Sequence, residues 1–161
     1  MSNWFRSYGF AEVHPHLILG AYPLDQSDVR MLSTMGITRV LNLTEDREYD
    51  RGQRKQLTKA FEAADIDELR LPTPDYGNLP PQLLDSATTQ LNAWLDAGDR
   101  VYLHCRAGWQ RSATVAAAVV AEREQLDPEQ AMARVKTRKP SADPLPHQRD
   151  DLLAWWELQP R

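Results

Sequence analysis

Cysteine and long apolar runs are both scarce in this sequence. Its 161 residues include a single cysteine, Cys105, which excludes an internal disulfide and a metal site built from several thiolates. The longest apolar run, around 113–121, is too short to cross a bilayer, and no charged start followed by an apolar stretch marks a secretory signal. Internal repeats, low-complexity segments and linkers are also missing. We therefore predict one cytoplasmic domain over 1–161 without stable insertion into a membrane.

The sequence also has no excess of positive charge and no cluster of metal ligands. Its formal net charge of −4 gives no broad attraction to nucleic acid or to anionic membranes. His14 and His16 have no third ligand near them in the sequence, so we interpret them as loop residues and predict neither a metal nor another cofactor. Residues 1–15 contain four aromatic side chains, Trp4, Phe5, Tyr8 and Phe10. One arginine and no long amphipathic period accompany them, which favours packing of this segment onto the domain over anchoring at a membrane.

Apolar residues recur with the periods of strands and of helices in alternation. Strands are predicted at 17–19, 38–43, 68–71 and 100–103, and helices after Asp25 and at 56–64, 81–97, 112–121, 127–137 and 145–158. Strands that alternate with helices imply right-handed crossovers and a mostly parallel sheet. The predicted fold is therefore a single α/β domain whose central sheet of four to five mostly parallel strands is flanked by helices.

The cysteine lies in a stretch of nine residues, HCRAGWQRS at 104–112, between a predicted strand and a predicted helix. At such a turn, successive backbone N–H groups and the helix dipole form an anion site, most naturally for phosphate. Gly108 lets the backbone turn tightly and approach a ligand without a Cβ in the way. Arg111 can return its guanidinium to the mouth of the loop and bind two oxygens of an oxyanion. The same positive field favours the thiolate form of Cys105, which is the nucleophilic form.

A plainer interpretation treats Cys105 as a small buried apolar residue and Arg111 as a surface charge. A cysteine followed six residues later by an arginine is a weak indication of function by itself. The histidine before the cysteine, the glycine midway and the serine after the arginine strengthen it. Together with the strand and the helix on either side, they favour the chemical interpretation.

Asp75 stands in a loop at 72–81 that its prolines restrict and in which Gly77 permits a sharp turn. The carboxyl ends of parallel strands meet at one edge of a sheet, so Asp75 is expected beside the cysteine, where a carboxylic acid can protonate a leaving group. The alternative is that Asp75 only forms an Asx turn. Other acids nearby flank the beginning of a strand or lie within a helix, namely Asp65, Asp67 and Asp85.

The stretch HCRAGWQRSAT resembles the signature loop of the cysteine-dependent protein tyrosine phosphatases, H-C-x-x-G-x-x-R-S/T, and is most similar to the atypical dual-specificity branch. Asp75 lies thirty positions before Cys105, in a Pro-Thr-Pro-Asp-Tyr context that is similar to the acid loop of that branch. The resemblance covers about 16–156. It implies a protein-tyrosine-phosphatase-like fold in which Ser112 donates a hydrogen bond to the departing thiolate and His104 fixes the loop. It also implies that phosphate binds to loop residues, which are Arg106, Ala107, Gly108, Trp109, Gln110 and Arg111.

The predicted reaction is metal-independent hydrolysis of a phosphate monoester through a phosphocysteine intermediate. Cys105 attacks phosphorus, Asp75 protonates the leaving oxygen, and Asp75 then acts as base when water attacks. Because a carboxylic acid and a thiolate must coexist, activity is expected to be highest at mildly acidic pH. Without a second thiol, oxidation is expected to convert Cys105 to a sulfenic acid or a backbone sulfenamide.

The resemblance implies that the substrate is a phosphorylated protein or a small phosphate ester. The chain is too short for the added recognition loop of the classical tyrosine-specific enzymes, so a shallow cleft for phosphotyrosine, phosphoserine and phosphothreonine is expected. The acid loop is also similar to the branch that dephosphorylates phosphatidylglycerophosphate. Lipid phosphates, including phosphoinositides, are therefore an alternative, although Trp109 stands where that branch often has a basic residue. Two further alternatives are a pseudophosphatase that binds phosphate without catalysis and a rhodanese-like sulfurtransferase.

Two segments have less definite roles. Residues 44–55 are dense in charges of both signs, which is typical of a solvated loop, although arginines there could help to select the substrate. Gln148, near the start of the last predicted helix, is interpreted as structural, and Trp109 as an aromatic wall of the cleft.

Overall fold

Five strands form the central sheet of the computed structural model, which describes residues 1–160. The strands are β1 (Phe10–His14), β2 (Leu17–Gly20), β3 (Arg39–Asn42), β4 (Asp67–Arg70) and β5 (Val101–His104). They lie in the order β1-β2-β5-β3-β4, with β1 antiparallel to β2 and all other neighbours parallel. The predicted α/β fold with a mostly parallel sheet is confirmed. The additional edge strand β1 was not predicted, because only Val13 within it is fully buried and no clear alternation results.

Helices cover both faces of the sheet. They are α1 (Asn3–Tyr8), α2 (Gln26–Thr34), α3 (Gln53–Ala63), α4 (Pro81–Asp96), α5 (Arg111–Glu124), α6 (Pro128–Arg138) and α7 (Pro146–Glu157). Helices α4 to α7 pack on one face and α1 to α3 on the other. Within residues 1–160, none of these helices combines the length and the apolar content that a membrane crossing requires.

Successive residues of the inner strands point to opposite faces of the sheet. Val101 and Leu103 of β5 belong to the apolar cluster under α4 to α7, whereas Tyr102 belongs to the cluster under α1 to α3. In β2, Leu17 belongs to the first cluster and Ile18 to the second. All five side chains are buried, so the sheet is covered on both faces, as parallel strands require.

Helix α5 runs through the centre of the larger apolar cluster. Its residues from Arg111 to Ala121 are all buried, which explains why this part of the sequence is apolar on every side. The helix ends at Glu124 and is capped by Gln125, whose φ of 55° is left-handed. Because α5 begins directly after the loop that contains Cys105, its packing fixes one end of that loop.

His14 and His16 have different environments. His16 lies in the turn between β1 and β2 with a φ of 67°, as expected for a loop residue. His14 instead ends β1, and its Nδ1 lies 2.8 Å from Glu124 Oε2 while its Nε2 accepts from Arg123 Nε at 3.3 Å. The loop interpretation of His14 is therefore wrong, because pairing with β2 places it in the sheet. No group of three potential metal ligands occurs in the described part of the chain.

Three loops meet at one edge of the sheet, because β3, β4 and β5 run parallel and end side by side. Residues 43–52 follow β3, residues 71–80 follow β4 and residues 105–110 follow β5. We call 71–80 the acid loop and 105–110 the cysteine loop. The parallel topology thus brings the acid loop, the cysteine loop and most of the charged run together.

Candidate active site

The carbonyl oxygens of the cysteine loop are held by donors outside the loop. All peptide bonds in the described residues are trans, and in a trans peptide the N–H points opposite to the C=O. The N–H groups that follow these carbonyls therefore point away from those donors, and successive N–H groups of such a loop can bind an anion. Cys105 O accepts from His104 Nδ1, Arg106 O from Tyr22 N and Trp4 Nε1, Gly108 O from Lys139 Nζ, Trp109 O from Asp143 N and Gln110 O from Thr114 N, at distances between 2.6 and 3.2 Å.

Gly108 is required by the packing of the loop against β2 as well as by the loop conformation. Its φ of 75° is left-handed, in agreement with the predicted tight turn. A Cβ on Gly108 would lie 2.7 Å from the carbonyl carbon of Gly20. The space that the missing side chain leaves is therefore taken by the end of β2. The sequence predicts instead that a ligand approaches the backbone there.

A cavity of about 610 Å³ opens above the cysteine loop. It brings together most of the residues that the sequence analysis assigns to the site, although Asp75 and Cys105 are far apart in the chain. The predicted site residues that line it are Asp75, Cys105, Arg106, Ala107, Trp109, Gln110 and Arg111, whereas His104, Gly108 and Ser112 lie outside the lining.

Cys105 lines the cavity with only 1% of its surface exposed. Its Sγ is 3.1 Å from Ser112 Oγ, in the first turn of α5. A hydroxyl at this distance can donate a hydrogen bond to a thiolate.

Arg111 is fully buried. The sequence predicts instead that its guanidinium stands at the mouth of the loop, and this prediction is wrong. Its Nη1 and Nη2 donate to the two carboxylate oxygens of Glu48 at 2.9 and 2.7 Å, and Nη1 also donates to Thr73 O at 2.9 Å. Only Nε is buried without a hydrogen-bond partner among the nitrogens of this side chain. Because a buried N–H without a partner is costly, an oxygen of a bound phosphate would relieve this cost at Nε.

Glu48 is the residue of the site that the sequence analysis misses most clearly. It belongs to the charged run at 44–55, where a solvated loop was expected. Burial would raise the pKa of Glu48, but the hydrogen bonds from Arg111 and from the N–H of Glu45 outweigh burial and hold the pKa below its usual range. The ionised carboxylate therefore orients the guanidinium. No period or spacing in the sequence links positions 48 and 111.

The arginines of the charged run make other contacts. Arg47 pairs with Glu45, and Arg54 pairs with Glu68. None of the arginines between 44 and 55 lines the cavity. The hypothesis that these arginines select the substrate therefore gains no support from the cavity.

Asp75 lies where the acid loop meets the cysteine loop. Its Oδ1 is 3.2 Å from Arg111 Nη2 and 3.3 Å from Gln110 Nε2, and its side chain is 24% exposed. The same oxygen accepts from Tyr76 N at 3.1 Å. Asp75 therefore accepts a local hydrogen bond from the backbone, as in the alternative that it only forms a turn, and it also lines the cavity.

Helix α7 connects the acid loop to the cysteine loop. The buried Gln148 donates from Nε2 to Gly77 O at 3.1 Å and to Gln110 Oε1 at 2.8 Å. His147 Nε2 lies 2.8 Å from Tyr76 O. Gln148 thus orients the amide of Gln110 so that its Nε2 faces the carboxylate of Asp75.

Lys139 approaches the cysteine loop from behind. Its Nζ donates to Gly108 O at 3.2 Å and to Ser141 Oγ at 2.6 Å, and the residue is almost fully buried. Burial lowers the pKa of Lys139, and the negative charge of a Cys105 thiolate opposes this shift. When protonated, Lys139 adds positive charge beneath the anion site. The only sequence signal for it is the basic stretch KTRK before Pro140.

His104 is fully buried at the end of β5. Its Nδ1 lies 2.8 Å from Cys105 O, and because a carbonyl oxygen only accepts, this nitrogen carries the proton. Burial lowers the pKa of His104 to about 4, although the hydrogen bond to Cys105 O opposes the shift. The imidazole is therefore neutral near pH 7 and holds the first carbonyl of the cysteine loop.

The free energy of unfolding is expected to fall as the pH drops from 6.5 toward 4, by up to about 1.4 kcal/mol per pH unit. The pKa of His104 is about 4 in the folded protein, whereas in the unfolded chain it returns to the ordinary 6.5. The unfolded chain thus binds a proton that the folded protein does not, and acid favours unfolding. Denaturant unfolding at pH 7 and pH 5 measures the loss. His104→Asn keeps a donor for Cys105 O and should lose less stability, so an equal loss in both proteins contradicts the assignment.

Comparison with known proteins identifies related catalytic domains. The family model described as "Dual specificity phosphatase, catalytic domain" matches residues 17–157. The mouse protein "Phosphatidylglycerophosphatase and protein-tyrosine phosphatase 1" is 30% identical over 120 residues, which cover 74% of this chain and 61% of that protein. "MAP kinase phosphatase with leucine-rich repeats protein 3" of Dictyostelium discoideum is 29% identical over 149 residues, which cover 90% of this chain and 16% of that protein. The chain therefore spans less than two thirds of the length of either relative.

A solved structure extends the similarity to almost the whole chain. The crystal structure of PTPMT1 superposes with a TM-score of 0.80 at 25% identity. The match covers 92% of this chain and 94% of that chain. The sheet and its surrounding helices thus share one arrangement in both proteins.

Proposed function

The chain belongs to the family of dual specificity phosphatase catalytic domains, and from this premise we propose that it hydrolyses phosphate monoesters through a phosphocysteine intermediate without a metal ion. The family that the cysteine loop predicts is confirmed by the match over residues 17–157, and with it the class of cysteine-dependent phosphatases. The observation that carries the proposal is that Cys105, Arg111 and Asp75 line one cavity.

In the first step, the phosphate group of the substrate binds among the N–H groups of the cysteine loop. Arg111 Nε donates to an equatorial oxygen and stabilises the charge that develops there. The Cys105 thiolate attacks phosphorus, the bond from phosphorus to the leaving oxygen breaks on the opposite side, and Asp75 gives that oxygen its proton. The products are an alcohol or phenol and a phosphocysteine.

In the second step, water attacks the phosphocysteine and Asp75, now a carboxylate, takes a proton from the water. The bond between phosphorus and sulfur breaks, and its electron pair returns to Cys105. Ser112 Oγ, 3.1 Å from the sulfur, donates a hydrogen bond to the thiolate that leaves. Arg111 and the loop N–H groups supply the positive charge that a metal ion supplies in other phosphatases, so neither step needs one.

Phosphoproteins with phosphotyrosine, phosphoserine or phosphothreonine are the proposed substrates. Trp109 stands where the lipid-phosphate branch that the acid loop resembles often has a basic residue, and only Arg106 and Arg111 are basic among the residues that line the cavity. Phosphatidylglycerophosphate is the second candidate, because the mouse relative carries that activity in its name beside protein tyrosine phosphatase.

A turnover panel separates the two substrate classes. It compares phosphotyrosine and phosphothreonine peptides with phosphatidylglycerophosphate and phosphoinositides in mixed micelles, and it uses Cys105→Ser as the blank. A higher kcat/KM for the peptides is expected. A higher kcat/KM for phosphatidylglycerophosphate would make this lipid, and not a phosphoprotein, the proposed substrate. Phosphate binding without turnover of any ester would indicate a pseudophosphatase.

Asp75→Asn is expected to lower kcat on a phosphoserine peptide by about 10²- to 10³-fold, because asparagine cannot donate the proton that an alkoxide leaving group needs. With p-nitrophenyl phosphate the loss should be smaller, because nitrophenolate leaves without protonation. The decline of kcat at alkaline pH should also disappear, since no acid then has to keep its proton. Steady-state rates across pH on both substrates measure these effects.

Asp65→Asn is the matched control for this substitution. Asp65 is exposed and has a left-handed φ of 56°, which asparagine tolerates well. Its activity should equal that of the wild type. If kcat of Asp75→Asn falls by the same factor on both substrates, or if its kcat still declines at alkaline pH, Asp75 is not the general acid.

A further inference from the structure

Helix α1 presents two aromatic side chains to the cavity above the cysteine loop. Trp4 and Tyr8 are four residues apart and therefore lie on one face of the helix. Their ring centroids are 4.4 Å apart, and both side chains line the cavity. From the sequence, this segment is expected only to pack on the domain, without a part in the site.

Other contacts hold α1 in place. Phe5 is fully buried against the sheet. Ser2 caps the helix, and its N and Oγ donate to the buried carboxylate of Asp28 at 2.7 and 2.5 Å. Trp4 Nε1 donates to Arg106 O at 2.8 Å. The two rings thus have a defined position relative to the cysteine loop, as a ligand-binding surface requires.

Aromatic rings from two other segments extend this surface. Trp109 of the cysteine loop meets Tyr8 edge-on, with ring centroids 5.2 Å apart. Tyr76 of the acid loop lines the same cavity. Trp109 is 46% exposed and Tyr76 is 68% exposed. Large aromatic side chains exposed around a cavity are typical of a surface that a ligand covers. We call Trp4, Tyr8, Tyr76 and Trp109 the aromatic rim.

The charged side chains beside the aromatic rim have partners of their own. The Arg106 guanidinium lies 5.3 Å from the centroid of the Trp4 ring and 6.0 Å from that of Tyr22, at distances typical of cation–π contacts. Asp143 lines the cavity and pairs with Arg149 at 2.7 Å. The rim therefore offers a surface of aromatic rings set at angles to one another, with the Arg106 guanidinium against the Trp4 ring. Such a surface suits an uncharged aromatic ring better than a second phosphate.

We propose that the aromatic rim binds the aryl ring of a phosphate ester and so favours phosphotyrosine over phosphoserine and phosphothreonine. This inference rests on the proposed function and narrows its substrate class. Cys105 lines the same cavity as the rim and is only 1% exposed, so a phosphate at its sulfur must be carried on a group that passes the rim. The ring of phosphotyrosine supplies that length and gains aromatic contacts that an alkyl phosphate lacks.

Two phosphonates test the subsite without turnover. Phenylphosphonate and methylphosphonate carry the same non-hydrolysable group, and only the first carries a ring. As competitive inhibitors of p-nitrophenyl phosphate hydrolysis, they are expected to differ about tenfold in inhibition constant, in favour of phenylphosphonate. In Tyr8→Ala this advantage should shrink by about three- to fivefold. Tyr8→Phe keeps the ring and should restore it, and Leu158→Ala, exposed and outside the cavity lining, is the unrelated control.

Two peptides with the same flanking residues test the consequence for substrates. One carries phosphotyrosine and the other phosphothreonine, and their ratio of kcat/KM should fall by about three- to tenfold in Tyr8→Ala, mainly through KM for the phosphotyrosine peptide. Thermal unfolding checks that the variant is folded, and Tyr8→Leu replaces it if it is not.

The outcomes separate this inference from the proposed function. Equal inhibition by the two phosphonates, or a peptide ratio unchanged by Tyr8→Ala, overturns the aryl subsite even when both peptides are hydrolysed. Failure of the wild type to hydrolyse any phosphate ester overturns the proposed function itself. Preference for phosphatidylglycerophosphate over both peptides keeps a phosphatase but also overturns the aryl subsite.

Discussion

Cys105→Ser is expected to abolish turnover, with kcat on p-nitrophenyl phosphate reduced by about 10⁴-fold or more. A serine hydroxyl is not ionised near neutral pH, and the side chain beside it, Ser112 at 3.1 Å, is not a base that could activate it. Release of nitrophenolate measures the loss of turnover. Acid quenching after rapid mixing with a labelled substrate should trap a phosphoenzyme in the wild type and none in the variant.

Anion binding distinguishes a missing nucleophile from a damaged site. The N–H groups of the cysteine loop and the guanidinium of Arg111 remain in Cys105→Ser, so inorganic phosphate and tungstate should still raise its melting temperature. Cys105→Ala, which leaves no hydroxyl, should behave in the same way. Full activity of the serine variant refutes the phosphocysteine mechanism. Anion binding lost in both variants would mean that the thiolate itself helps to build the site.

Arg111→Lys is expected to lower kcat/KM by about 10³-fold, although it keeps the positive charge. A lysine ammonium cannot donate to both oxygens of Glu48 and also offer a second donor in the same plane to phosphate. The free energy of unfolding should fall by about 1–3 kcal/mol as well, because the buried carboxylate of Glu48 loses one of its partners. Steady-state kinetics and denaturant unfolding measure the two effects.

Glu48→Gln tests how much of this effect depends on the carboxylate that orients Arg111. It keeps the size of the side chain and one acceptor for Arg111, and the guanidinium still donates to Thr73 O at 2.9 Å. The loss of kcat/KM should therefore be smaller, about 10- to 10²-fold, and inorganic phosphate should still bind. If Arg111→Lys keeps wild-type activity, the guanidinium is not the group that stabilises the transferred phosphate.

Local signals in the sequence account for the elements of the fold. Asp25 and Asp127 cap α2 and α6 through their side chains, as residues of their type do wherever a helix begins. Apolar residues that alternate in strands and recur in helices indicate which segments are buried. The sequence does not predict β1, because an edge strand in which only Val13 is fully buried has no clear alternation of apolar and polar residues.

Contacts between distant loops account for what the sequence does not reveal about the site. Glu48 stands among exposed charges in the sequence, and only the convergence of the loops after β3 and β5 brings it to Arg111. Gln148 likewise contacts Gln110 because α7 packs beside the acid loop. Neither contact has a spacing rule, because loop conformations depend on the whole surrounding structure.

The sequence by itself determined the class of fold, the family to which the cysteine loop points and the presence of an acid in a restricted loop, because each depends on neighbouring residues. Only the tertiary structure decided that Arg111 is buried against Glu48, that Lys139 lies under the loop and that α1 lines the cavity with Trp4 and Tyr8. The physical reason is that hydrogen bonding and burial within an element follow its local period. Contacts across the sheet edge instead depend on which loops the topology brings together.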